Sequence, residues 1–172
     1  HIMCDIAKGQ RRVWDMRNAI YAERAKYPRE AMRMSFTSNH DENSWSGSHQ
    51  ERFGRALDVM TTMTFLMPST MPLIYTGQEV GYDHSFEFFE RDPIPASQYV
   101  ESAATELYRR LCALKHSERA LDAGERGGEF IEIENNAKDC IMTFVREVRD
   151  SRVVAIVNLS PYTIHADFNT GI

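Results

Sequence analysis

An α/β unit running into an antiparallel all-β unit is the fold class this sequence predicts, on two observations. Residues 1–120 alternate helix-period and strand-period apolar patterns in the order helix, strand, helix, strand, helix. After Gly124 the pattern changes to short alternating runs separated by turn residues, with no helical stretch between them. The boundary is placed at residues 117–128, dividing an α/β part, 1–120, from a β part, 121–172.

The first helix is expected over residues 5–27. Val13, Met16 and Ile20 form its apolar stripe, and Pro28 ends it. Lys8, Arg11, Arg12, Arg17, Arg24 and Lys26 are spread around it and read as a solvated helix surface. A strand follows over 32–38. Met32, Met34 and Phe36 share one face and Arg33, Ser35 and Thr37 the other. The next helix is expected over 48–67. Ser48-His49-Gln50-Glu51 has the form of a capping box, and Phe53, Ala56, Leu57, Met60, Met63 and Met67 recur at helical steps as a core stripe.

Met71–Tyr75 is a short apolar run that fits a strand buried on both faces. Gly77-Gln78-Glu79-Val80-Gly81 leaves it through a turn that needs glycine. Residues 77–99 form a long loop carrying Tyr82, Phe86, Phe88 and Phe89, and long loops in compact domains are commonly functional or flexible. A third helix is expected over 100–116, with Val100, Ala104, Leu107, Leu111 and Leu114 facing inward. Strands are then expected over 130–134, 140–148, 152–159 and 163–168, punctuated by Asn135-Asn136, Arg149-Asp150-Ser151 and Ser160-Pro161.

Composition narrows the function classes. Hydrophobic residues make up 42% and charged residues 26%, as in ordinary globular domains. A net charge of −5 argues against nucleic acid as a partner, and a neutral ligand such as a sugar leaves no charge signature either way. No apolar run approaches the ~20 residues needed to span a bilayer. Cys4, Cys112 and Cys140 are odd in number and lack CxxC spacing, so they read as buried or idle thiols, not as disulfide or zinc sites. No metal-ligand cluster stands out among the six histidines.

The chemistry concentrates in Ser38-Asn39-His40-Asp41-Glu42, where an imidazole and two carboxylates follow a strand. Alone, Asn-His-Asp fits a surface turn equally well. Its position just before a helix, with a second strand ending nearby in Gly-Gln-Glu-Val-Gly, fits one βαβ unit and the way α/β folds place catalytic groups at strand ends. Two βα units cannot cover both faces of a parallel sheet, so the chain is expected to be a piece of a longer enzyme.

These residues carry a specific resemblance. Phe36-Thr37-Ser38-Asn39-His40-Asp41 resembles the fourth signature region of the α-amylase family, glycoside hydrolase family thirteen. Met71–Gly81 is similar to that family's eighth barrel strand and the turn after it. Phe88–Ile94 and Leu111–Lys115 also sit where the family carries related segments. The resemblance covers most of residues 1–168. It implies the last βα units of a (β/α)8 TIM barrel, from the sixth helix to the eighth, followed by an incomplete antiparallel C-terminal β-domain.

It further implies that Asp41 is a catalytic carboxylate that stabilises the transition state, and that His40 contacts the sugar. Glycosidic cleavage passes through an oxocarbenium-like transition state, where hydrogen bonds to sugar hydroxyls tighten. Asn39, Gln78 and Glu79 are expected to order the loops or support the site. Glu42 is expected to face solvent or stand behind the site. The nucleophile and acid/base of the family lie on earlier strands, and no segment here resembles them; on this reading the 172 residues alone are inactive. No cofactor or metal is expected within them, and the calcium elements of many family members also belong upstream.

The partner implied is an α-glucan, as oligosaccharide or polysaccharide, cleaved by hydrolysis or transferred. A non-catalytic sugar-binding or interaction module is the alternative, with Trp45 and the Tyr82–Phe89 loop as stacking surfaces. Exposed strand edges would favour an oligomer or a domain swap.

Overall fold

The computed structural model describes residues 2–169; the outer ends of the two expected segments, His1 and residues 170–172, lie outside the described residues. The first expected helix is two, α1 (Ile2–Ala7) and α2 (Val13–Lys26). Apolar spacing runs through the break because it reports burial, not backbone continuity. The intervening turn closes on the Asp5 carbonyl, which accepts from the Gln10 and Arg11 N–H groups at 2.8 and 3.3 Å. Val13, Met16 and Ile20 are buried as their spacing predicts.

Strand β1 (Arg33–Ser35) is followed by the short helix α3 (His40–Ser46). The helix expected over 48–67 is also interrupted. It consists of α4 (His49–Phe53), a 3-10 turn over Gly54–Ala56, and α5 (Leu57–Leu66). Gly54 takes φ +49, ψ −129, a backbone shape that side chains resist, so the helix axis is redirected there. The capping box forms as its sequence predicts. The Ser48 hydroxyl accepts from Glu51 N–H at 3.2 Å, and the Glu51 carboxylate accepts from Ser48 N–H at 2.9 Å.

Strand β2 (Thr70–Pro72) pairs with β1 in parallel, Met34 opposite Met71. The strand expected over 71–75 is present but shorter, ending at Pro72, and it is not buried on both faces. Met71 is exposed, as are Met32 and Met34, so the methionine face of this two-stranded sheet is open. Ser35 and Thr37, on the polar face, are the buried ones. That face looks toward the helices, where Arg33 pairs with Glu23 of α2 and donates to the Pro68 carbonyl.

Helix α6 (Ala103–Ser117) begins at Ser102, whose hydroxyl caps the first turn, and it leaves Val100 outside and exposed. The chain then enters an antiparallel meander. Strands β3 (Glu129–Glu132), β5 (Ile141–Val148) and β6 (Ser151–Asn158) form one sheet in the order β3-β5-β6. Among the described residues strand β4 (Glu134–Asn135) pairs with β7 (Phe168–Asn169), and most of the strand expected over 163–168 is coil.

One apolar cluster joins both parts of the chain. Ile6, Val13, Met16, Ile20, Met60 and Met63 pack with Phe130, Met142, Phe144, Ala155 and Val157 of the sheet. Each such large side chain stabilises by about 1.5–3 kcal/mol on full burial. Two polar devices reinforce the joint. Arg17 and Arg24, read from sequence as solvated, pair with Glu132 at 2.5 Å and Glu129 at 3.1 Å. Arg146 of β5, almost fully buried, donates to the Leu66 and Met67 carbonyls at the end of α5 at 2.8 and 2.9 Å. Those are carbonyls a helix terminus leaves without partners. Burial pulls the Arg146 guanidinium down to about 10.

Candidate active site

The chain leaves β1 through Phe36–Asn39 and turns at once into α3. Asn39 makes that turn: its side-chain oxygen accepts from Glu42 N–H at 2.8 Å, satisfying an orphan amide of the first turn. His40 and Asp41 therefore stand at the start of a helix, one step beyond the strand. Their side chains are 68% and 62% exposed, and His40 Nε2 lies 3.6 Å from Asp41 Oδ2. An open carboxylate beside an imidazole can accept and donate hydrogen bonds to a ligand's hydroxyls.

Behind this pair lies a buried polar frame. Glu42 pairs with Arg52 of α4 at 2.6 Å, and Arg52 also donates to the Thr37 carbonyl at 2.9 Å. Glu42 thus faces inward, not toward solvent. Gln78 is buried and bridges the two strand ends. Its amide donates to the Thr37 hydroxyl at 2.8 Å, and its carbonyl accepts from Tyr75 N–H at 2.8 Å. Below Thr37, Tyr108 of α6 is desolvated and its hydroxyl is pushed up to about 12. Glu79 is half-buried in the same turn. Gly77 enters that turn at φ +87, where a side chain would also press Ile94 Cδ1 at 3.0 Å.

The long loop comes back to α3. Asn43, fully buried, donates to the His84 carbonyl at 2.8 Å and accepts from Phe86 N–H at 2.7 Å. Asp92 closes the loop's neck, 2.7 Å from His84 Nε2 and accepting from Glu87 N–H at 3.0 Å. The Glu87 amide first, and His84 second, hold the Asp92 carboxyl below its ordinary value. Phe88 and Phe89 sit at the tip, against Trp45 and His40. The structural work of Asn43 and Arg52 is absent from the sequence reading. A polar residue one turn into a helix gives no sign that a loop 41 residues away will use it.

Among the described residues there is no group of three His, Cys, Asp or Glu placed to hold a metal ion. No helix of the described residues is long and apolar enough to cross a membrane. Cys4, Cys112 and Cys140 are free thiols.

The fold this arrangement defines is α-amylase-like. It superposes on the crystal structure of a maltogenic α-amylase, AmyB from Thermotoga neapolitana, with a TM-score of 0.80 and 19% sequence identity. The match takes in 98% of this chain and 38% of that one, so the chain spans well under half the length of the protein it resembles. No family model matches the sequence, and no curated protein matches it.

Proposed function

We propose that this chain is the C-terminal part of a retaining, α-glucan-active glycosidase of the α-amylase type, acting on starch or maltooligosaccharides. In this reading Asp41 is the carboxylate that stabilises the transition state, and His40 holds a hydroxyl of the sugar being cleaved. The observation that carries the proposal is the placement of the Asn39-His40-Asp41 turn. It stands open just beyond the end of one parallel strand, and Gln78, in the turn that follows the next strand, holds the chain leading into it through Thr37. Strand ends are where α/β folds carry their reacting groups.

The chemistry suits the residue types. As the glycosidic bond breaks, positive charge develops on the sugar ring, and its hydroxyls become better hydrogen-bond donors. An ionised Asp41 accepts from them more strongly in the transition state than in the ground state, which lowers the barrier. His40 supplies a donor on the same rim. Asn39, Gln78 and the Glu42–Arg52 pair fix the turn so that neither group must reorganise during the reaction. The nucleophile and the acid/base come from chain outside these 172 residues, so the chain alone leaves α-glucans uncleaved.

The test is Asp41→Asn in the longer protein, assayed on soluble starch and on maltoheptaose. Loss of about 10³-fold or more in kcat/KM, with folding intact, is expected. Activity within threefold of the unsubstituted protein overturns the assignment.

A further inference from the structure

Three aromatic rings stand in the open beside the candidate site. Trp45 is 67% exposed, Phe89 82% and Phe88 38%. Their centroids are 5.4 Å apart for Trp45 and Phe88, 4.8 Å for Phe88 and Phe89, and 6.4 Å for Trp45 and Phe89; His40 lies 6.0 Å from Phe88. The rings thus continue without a gap from the imidazole of the candidate site.

This cluster is held in place by buried groups. Trp45 rides on α3, two residues beyond Asn43, and Asn43 uses both ends of its amide to seize the His84–Phe86 backbone. Asp92 clips the neck of the loop through His84 and the Glu87 amide, so the tip carrying Phe88 and Phe89 is presented as one piece. Leaving three large rings in water forgoes the burial that most such side chains obtain. An exposed apolar patch set against a polar site is a mark of binding.

We infer that Trp45, Phe88 and Phe89 form a stacking platform for the sugar rings of an α-linked glucan, extending the subsite at His40 and Asp41. The inference rests on the reading of those two residues as sugar-contacting. Sugars offer apolar C–H faces that lie against aromatic rings, with hydroxyls at the rim for polar neighbours. Glu87 and Glu90 flank the two phenylalanines in the loop and are exposed, supplying acceptors for hydroxyls and repelling an anionic ligand. The ring planes are turned, 42° between Trp45 and Phe88 and 77° between Phe88 and Phe89. A flat β-1,4-linked ribbon needs coplanar faces. A curved α-linked chain presents each successive ring at a new angle and fits the turned set.

The experiment uses Trp14→Phe, which leaves Trp45 as the sole tryptophan of the 172-residue chain. Its fluorescence is titrated with maltoheptaose and with cellohexaose. A saturable change with maltoheptaose is expected, weakened about tenfold by Phe89→Ala and retained in Phe89→Tyr. A chain that shows no saturable change with maltoheptaose at tens of millimolar, an equal response to cellohexaose, or indifference to Phe89→Ala overturns the inference. So does light scattering in which Phe89→Ala dissolves a dimer, because the rings would then serve protein contact. Asp41→Asn separates this from the proposed catalysis. If the platform still binds maltoheptaose while Asp41→Asn leaves cleavage by the longer protein unchanged, the catalytic reading falls and the platform stands. If fluorescence is silent while Asp41→Asn abolishes cleavage, the platform alone falls.

Discussion

The Gln78 amide donates to the Thr37 hydroxyl across 2.8 Å of buried space, tying the chain just beyond β1 to the turn that follows β2, its parallel partner. Because Gln78 also accepts from Tyr75 N–H, one side chain satisfies a hydroxyl and a backbone amide together. Gln78→Ala leaves the Tyr75 N–H without its acceptor and takes from the Thr37 hydroxyl one of its two side-chain partners, Tyr108 being the other. A loss of about 2–3 kcal/mol in folding stability is expected, read as a lower urea midpoint with unchanged slope.

Arg52 makes the second buried tie, to Glu42 and to the Thr37 carbonyl. Removing the cation takes the opposite charge away from a half-buried carboxylate, so Arg52→Ala is expected to cost about 3 kcal/mol. Glu42→Gln keeps a hydrogen-bonding group of the same shape and is expected to cost less. Chemical denaturation of the two variants side by side checks the order, and an equal or reversed order would sink the assignment of the pair as a buried one.

His49 gives the fold a pH dependence. Its burial in α4 lowers the imidazole below its ordinary 6.5, with nearby Asp83 opposing the shift. The unfolded chain therefore takes up this proton at higher pH than the folded chain does. Stability from this source is whole above about pH 6.5 and declines as pH falls from there toward the lower folded value. His49→Gln is expected to flatten the difference between denaturation midpoints measured at about pH 7.5 and pH 5.5. A difference unchanged in His49→Gln would assign the acid sensitivity elsewhere.

Met32, Met34 and Met71 lie exposed on one face of the β1–β2 pair, beside open strand edges. Such a surface favours pairing between copies at high concentration. Self-association is expected in light scattering, and Met34→Asp is expected to reduce it severalfold. A monomer at all concentrations would contradict this.

The features legible in the sequence are those encoded within a few residues. Val13, Met16 and Ile20 announce a buried helical stripe, Ser48 and Glu51 a capped start, and Arg149-Asp150 a hairpin between β5 and β6. The breaks after Ala7 and at Gly54 escape because the apolar stripe continues across each. The burial of Ser35 in place of Met34 escapes for a different reason. Alternation tells which residues share a face, but only the helices that cover the sheet decide which face is inside. His40 and Asp41 are legible as a motif. The frame of Asn43, Arg52 and Asp92 is not, because each acts on a partner that the folded chain brings back from elsewhere.

The Arg146 side chain has a consequence in time. The end of α5 emerges from the ribosome with its Leu66 carbonyl short of a partner, and the arginine that binds it arrives 80 residues later. Until β5 is made, Thr70 can satisfy the Met67 carbonyl locally, but the Leu66 carbonyl waits for Arg146. A later strand thus seals a helix made before it, and a chain interrupted before Arg146 is left with that helix end unsealed and open to degradation.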